Sequence, residues 1–411
     1  MIKNMLLTFI AVTAVLPILS INCNHGDNIK AEKLPDKIFP MAFRKEKAIR
    51  IDIITKEPPV IADINDPDNI YIYFLQDQDK NCVVIKLTND LEIKNRYFIG
   101  NGMGPGEALN PRIYGGDDRS IIVYDVMARK FIEFDRNFKL MNEYKSPKNL
   151  GGYFYSGGKY IPDLRMVIDG FNYTVSMAKE SGDTLVFRSY RRIYARKLMP
   201  NRSIKDSKLF ETPLVEERWE NNLTPVFRDI NFGYYFGHIF ILDKMDYRIK
   251  KMTTDGRVLK DKRFAFEAKT FSKSDREEWV TKAFGPKGKK KFSFPEKLIP
   301  ACWMMPVANG IAVGRCNNYN PDEKSPIIAD YFDPDLNFLG KITMPYFWAW
   351  NRPDQGQCEA YYRFLFKNGK LYSVQIGEDL DDFQVVRWGV HIEKGKGDIQ
   401  EIILLPFILK K

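Results

Sequence analysis

Ser120-Ile121-Ile122-Val123-Tyr124-Asp125, a short polar turn, then Lys130-Phe131-Ile132-Glu133-Phe134-Asp135-Arg136-Asn137-Phe138 is the stretch that decides the fold. Both runs are short and rich in β-branched and aromatic residues, and turn-formers bound them, so they read as an antiparallel hairpin. The Asp-containing turn at the end leads into a third strand. The same phrase recurs as Ile241-Leu242-Asp243 with Thr254-Asp255-Gly256-Arg257-Val258, and as Phe332-Asp333-Pro334-Asp335-Leu336-Asn337-Phe338. Leu87-Thr88-Asn89-Asp90-Leu91 is a weaker copy. Asp90 and Asp135 are 45 residues apart, close to the roughly 40–50 residues of a four-stranded propeller blade.

Working outward, Asn69-Ile70-Tyr71-Ile72-Tyr73-Phe74 and Cys82-Val83-Val84-Ile85-Lys86-Leu87 supply further strands, while helical periodicity is scarce. The fold class expected is all-β, a six-bladed β-propeller. Its blades fall near 58–107, 110–147, 151–194, 218–267, 298–345 and 361–405, and the run from Ile49 to Ile54 closes the ring beside the last. A lone four-stranded sheet cannot bury both faces; stacking six in a ring covers them and shortens exposed edges. A pair of β-sandwiches is the alternative, since short strands and turns fit both. One segment, 272–297, breaks the pattern. Ser274 and Glu277 have the spacing of a capping box, so a short helical insertion is expected there.

The N-terminus carries a different message. After Lys3, the chain from Met5 to Ile21 has no charge and ends Leu19-Ser20-Ile21-Asn22-Cys23. This is the layout of a secretory signal peptide, 1–22. A cysteine directly after the apolar core resembles a lipoprotein lipobox, which makes Cys23 a candidate for lipidation and a membrane anchor. Residues 23–46 then read as a polar tether and 47–411 as the propeller.

Composition sets outer bounds. A hydrophobic fraction of 44% with 14% aromatics supports a large core and excludes global disorder. Sixty-three Lys and Arg against 53 Asp and Glu leave +10. On an exported chain that excess favours anionic lipid or polysaccharide over nucleic acid. Beyond Cys23, the cysteines Cys82, Cys302, Cys316 and Cys358 are far apart except for Cys302 and Cys316, which either bridge two neighbouring strands or stay as buried thiols, and with three histidines and no CxxC a zinc site has little support.

Gly100-Asn101-Gly102-Met103-Gly104-Pro105-Gly106-Glu107, followed by Asn110-Pro111, resembles the turn after the first blade of TolB-like or NHL-like six-bladed propeller lipoproteins of Bacteroidetes-type bacteria. Gly102, Gly104, Pro105, Gly106 and Glu107 carry the match. The resemblance implies the same fold and an envelope location. From the residues alone, the glycines permit a tight turn, and the Gly-Lys-Ser/Thr ending of a phosphate loop is missing.

Candidate sites follow. Asp125, Asp243 and Asp330 each occur at or near the end of an apolar run. Acidic oxygens near a propeller channel suit Ca²⁺, although such residues more often bond turn amides. No other cofactor is expected. Arg188, Arg191, Arg192, Arg196 and Lys197 interleave with Phe187, Tyr190 and Tyr194 as a solvated strand face. Trp348, Trp350 and Arg352 form the densest aromatic loop and the candidate binding surface. The expectation is a membrane-tethered module that binds a protein, peptide or glycan. The alternative is a hydrolase or lyase with a metal in the central channel.

Overall fold

The computed structural model describes residues 29–51, 59–76, 81–117, 119–146, 153–179, 185–212, 215–219, 224–225, 230–244, 246–266, 270, 272–274, 277–278, 281, 292–293, 301–315, 327–345, 364–376 and 383–392. The chain enters through β1 (Met41–Ile51) and then builds sheets in sequence order. The first holds β2 (Val60–Ala62), β3 (Asn69–Leu75), β4 (Cys82–Thr88) and β5 (Ile93–Ile99), and the second β6 (Pro111–Gly116), β7 (Ile121–Asp125), β8 (Lys130–Phe134) and β9 (Leu140–Lys145). The third holds β10 (Tyr153–Ile161), β11 (Met166–Lys179), β12 (Leu185–Leu198) and β13 (Ile204–Glu211), with β14 (Val215–Trp219) added beside β12. After the short β15 (Thr224–Pro225) come β16 (Ile230–Tyr235), β17 (His238–Asp243), β18 (Arg248–Met252) and β19 (Val258–Arg263), then β20 (Phe292–Ser293), which pairs with β15. The fifth sheet is β21 (Ala301–Val307), β22 (Gly310–Arg315), β23 (Ile327–Phe332) and β24 (Phe338–Met344). The sixth takes β25 (Phe364–Lys367), β26 (Lys370–Ile376) and β27 (Phe383–Ile392) from the far end of the chain and β1 as its outermost strand.

This is a six-bladed propeller. Ile49 pairs with Val385 and Ile51 with Phe383, so the two ends of the domain close the ring in one blade. An apolar cluster fills each of the six junctions between blades. That is why β3, β4, β7 and β8 are apolar almost throughout instead of alternating: a middle strand is covered on both faces, while the outer β5 is mostly exposed.

The repeating phrase in the sequence is the turn between the third and fourth strands of a blade. In five blades the same two backbone hydrogen bonds close it, with N–H donors at Thr88 and Leu91, Asp135 and Phe138, Met199 and Arg202, Thr253 and Gly256, and Asp333 and Leu336, all at 2.9–3.1 Å. The fourth residue is left-handed each time: Leu91, Phe138, Arg202, Gly256 and Leu336 have φ between 58° and 93°. Three of these are large apolar side chains, and Leu91, Phe138 and Leu336 are buried. Core packing thus offsets a conformation that ordinarily favours glycine. Side-chain oxygens cap the turns, Asp135 accepting from the Lys139 N–H at 2.9 Å and Asp333 from that of Asn337 at 2.8 Å. In the first and fourth blades the capping oxygen belongs to Thr88 and Thr253, so Asp90 and Asp255 are not the equivalent positions. The sixth blade has no copy because its fourth strand arrives from the N-terminus.

Two boundaries differ from those read in the sequence. The third blade continues to Glu211, because β11 and β12 are 14 residues each. The span read as tether is ordered from residue 29. Glu32 bridges to Phe264 beside β19, Ile38 bridges to Lys341 of β24, and β1 begins at Met41. Apolar side chains among the charges explain this: Phe39 is buried and Leu34 packs against the junction of the fourth and fifth blades. In the expected insertion, Lys273, Ser274, Glu277, Glu278 and Thr281 are helical, and the rest lies largely outside the described residues.

Candidate functional site

The innermost strands β2, β6, β10, β16, β21 and β25 surround a central channel. Ile61, Ile113, Phe232, Met305 and Phe364 line it with Lys159 and Asp63, enclosing a cavity of about 90 Å³. Two glycines let aromatic rings cross it, since a Cβ at Gly158 would overlap the Tyr114 ring and one at Gly233 the Tyr235 ring. Ligand pockets for small molecules run to about 300–1,000 Å³; this space suits a few waters. Its one charged pair is Lys159 with Asp63. Burial pulls the Lys159 ammonium down to about 8.

None of the three candidate metal ligands lines this cavity. Asp125 is fully buried, and its carboxylate accepts from the backbone N–H groups of Leu109 (3.0 Å), Asn110 (3.3 Å), Met127 (3.0 Å) and Ala128 (3.2 Å). It ties the entry of its blade to the β7–β8 turn. Asp243 ends β17 and accepts from the Asp246 N–H at 3.3 Å. Asp330 is buried at the junction of the fourth and fifth blades, where Arg315 Nε donates to it at 2.7 Å and the Tyr247 hydroxyl also donates. Among the described residues, no group of three or more His, Cys, Asp or Glu is arranged to hold a metal ion.

The glycine turn is filled by its own carboxylate. Glu107 Oε2 accepts from the Gly104 N–H at 2.8 Å, and a Cβ at Gly102 would overlap that carboxylate. Lys130 Nζ donates to the Gly104 carbonyl at 2.9 Å, and the Gly106 N–H donates to Glu143 at 2.9 Å. An anion placed among these glycines would meet Glu107 already there. The turn pins the first blade to the second and leaves Met103 exposed at its tip.

The two faces of the ring are unlike. Connections between first and second strands, and between third and fourth, are short; the longest is 63–68. The strand ends at the opposite face are joined by longer stretches of sequence: 100–110, 316–326, 345–363 and, including β20, 264–300. From that face β11 and β12 also project. Their pairing with β10 stops at Asn172, and the remainder of the hairpin is joined by β14. At its base the Tyr173 and Tyr190 rings stack with centroids 5.1 Å apart, and the Arg192 guanidinium lies over both, at 5.1 and 4.6 Å. Arg196 departs from the solvated face expected of this basic run. It is fully buried, pairing with Asp169 and Asp206 at 3.1 Å each and lying over Phe131.

Trp348, Trp350 and Arg352 fall in the sequence between β24 and β25 and lie outside the described residues, as does Cys23. Cys316 and Cys358 do too. Cys82 is a free, buried thiol that burial pushes up to about 12, too high for a nucleophile.

No protein-family model and no curated protein matches the chain. Solved structures do. A member of the DUF4221 family from Bacteroides vulgatus is similar over 87% of this chain and all of its own, with 10% identity and a TM-score of 0.54. A candidate exported protein from Bacteroides fragilis is similar over 89% of this chain and 99% of its own, with 11% identity and a TM-score of 0.45. The likeness to the first is one of fold.

Sequence reasoning missed the polar locks between blades. Asp66 of the first blade accepts from Tyr71 at 2.7 Å and from Arg136 of the second at 3.0 Å. Glu133 of the second accepts from Tyr144 at 2.6 Å and Arg165 of the third at 3.2 Å. Between the fourth and fifth the roles are exchanged: Asp330 takes Arg315 from its own blade and Tyr247 from the blade before. Burial pushes the Glu133 carboxyl up, but the hydrogen bonds from Tyr144 and Asn142 and the nearby Arg165 outweigh it, leaving the group below the usual range. A single acid inside an apolar strand, as in Phe131-Ile132-Glu133-Phe134, was the available signal.

Proposed function

We propose that this propeller is an envelope-tethered lipoprotein of TolB-like or NHL-like type, anchored through Cys23 outside the cytoplasm. It binds a protein, peptide or glycan on its long-connection face. One observation carries the binding assignment: the asymmetry between a face of short, capped turns and a face bearing long connections and a projecting hairpin. Loops held on a rigid scaffold are where recognition concentrates. The small channel supports the same reading over a channel-centred enzyme. Within the long-connection face, Trp348, Trp350 and Arg352 are the residues proposed to make contact.

The test is a comparison of faces. The protein is screened on glycan and peptide arrays beside Trp348→Ala/Trp350→Ala/Arg352→Ala and a short-turn-face variant, Asn137→Ala/Asn368→Ala. Loss of a hit in the first variant alone supports the assignment. A hit that survives it and disappears in the second places recognition on the other face. The anchor is tested by fatty-acid labelling, which should mark the wild type and not Cys23→Ser.

A further inference from the structure

From Glu32 to Ile51 the chain wraps the outer wall of half the ring. The Glu32 N–H donates to the Arg263 carbonyl at 2.8 Å, and the Ala265 N–H returns the bond to Glu32 at 2.8 Å. Five residues on, the Lys341 N–H donates to Lys37 at 2.7 Å and the Phe39 N–H to Lys341 at 2.8 Å, with the Phe39 ring 4.9 Å from Tyr331. The chain then becomes the outer strand of the sixth blade. One continuous segment therefore belts blades four, five and six.

That belt is rich in positive charge. Between Ile29 and Ile51 there are seven Lys or Arg and three Asp or Glu. The outer strands beneath it add three against one in β19 and Lys341 in β24. Together these give +7 on this part of the wall. Around the other half of the wall, β5, β9 and β13 together reach only +2. Lys33, Lys37, Lys45 and Lys47 are exposed, and Ile38, at 78% exposure, is an apolar side chain standing out among them. Cys23 is nine residues before Glu32, at most about 30 Å of extended chain.

We propose that this wall, from the fourth to the sixth blade, is a docking surface for an anionic phospholipid membrane. The proposal rests on the tethered reading above and deepens it. Acyl chains on Cys23 would hold the chain at a membrane, and a polybasic patch beside such an anchor adds electrostatic attraction to anionic lipid. Each Lys or Arg near an anionic surface contributes about fivefold in binding. The acylated residue is confined by a short lead to the neighbourhood of the basic wall, so both signals reach one surface. With its side wall on the lipid, the ring stands on edge, and neither face is covered.

The experiment removes the acyl chain, so that only the wall is read. Cys23→Ser protein is sedimented with vesicles of phosphatidylcholine alone or of equimolar phosphatidylglycerol and phosphatidylcholine. Binding is expected only to the anionic vesicles and should fall as salt rises. Lys33→Gln/Lys37→Gln/Lys45→Gln/Lys47→Gln should weaken it at least about tenfold, given about fivefold per charge. The control Lys94→Gln/Arg96→Gln/Lys139→Gln/Lys205→Gln, which removes as many charges elsewhere on the wall, should change it less than about twofold. Circular dichroism checks the fold; should the quadruple variant unfold, Lys45→Gln/Lys47→Gln is read in its place. Equal loss in both variants, equal binding to neutral vesicles, or no binding at all overturns the proposal. Failure of Cys23 labelling would remove the anchor and leave the vesicle result standing, so the two readings fail separately.

Discussion

Phe39→Ala asks whether the belt is part of the folded ring or merely lies on it. Phe39 is 5% exposed and packs with Met41, Trp303, Tyr331, Met344 and Phe364, at the junction of the fifth and sixth blades. Truncating a buried Phe to Ala costs about 3–5 kcal/mol where the cavity cannot collapse. Here the belt can shift inward, so the lower end, about 3 kcal/mol, is expected in urea unfolding. Loosening should also speed tryptic cleavage after Lys30, Lys33 and Lys37. Gly340→Ala approaches the same joint from the other partner. Gly340 has φ +149°, and its Cβ would stand 2.7 Å from the Phe39 nitrogen, so the belt must move away although no core side chain is removed. Both variants should therefore raise cleavage, and Phe39→Ala should lower global stability more. If neither cleavage nor unfolding free energy changes by about 1 kcal/mol, less than the usual effect of one buried methylene pair, the belt is not a structural element and the reasoning is wrong.

Two further outcomes come from the blade junctions. Glu133 lies below the ordinary carboxyl value when folded, so its stabilisation is full above that value and is lost as pH falls through the folded one; Glu133→Gln should cost about 1–3 kcal/mol at pH 7 and progressively less as the pH is lowered through the acid range, read as urea midpoints along a pH series. Gly102→Ala should lower the melting temperature by crowding the Glu107 carboxylate out of its turn, and Gly102→Ala/Glu107→Ala should recover part of the loss; a double variant that melts below both singles would show that Glu107 stabilises the turn by some other contact.

The ring was legible because its repeated unit is local. A turn capped by its own Asp or Thr needs only five consecutive residues, and the strands before it declare themselves by apolar content. The third blade was cut short because its strands run on through Arg, Lys and Ser, where period and composition no longer mark an edge. Met199-Pro200-Asn201-Arg202-Ser203 went unread as a fifth copy because Asn201 supplies the cap from a different position. The belt was misread for a related reason. Its charges look like a linker, and Leu34, Phe39 and Met41, too sparse to make a period, meet partners more than 200 residues away. The candidate site was less legible still. Asp125 and Asp330 share a place after or within an apolar strand, but one satisfies turn amides and the other bonds Arg315 of its own blade and Tyr247 of the blade before, a difference set wholly by tertiary neighbours.

Those neighbours also explain why the blades are alike in backbone and unlike in side chain. A junction between twisted sheets is filled mainly by apolar contact, which tolerates many sequences of the right volume. A buried carboxylate is different, because removing either partner leaves a charge without compensation. Asp66 with Arg136 and Glu133 with Arg165 each join residues that only the correct order of blades brings together. Apolar junctions would permit one blade to pack against the wrong neighbour; a misplaced blade would bury these acids unpaired. The locks therefore discriminate among orders of assembly more than they add to stability. β1 completes the same logic, since the one junction that sequence order cannot enforce, between last and first, is built into a sheet that needs both ends of the domain.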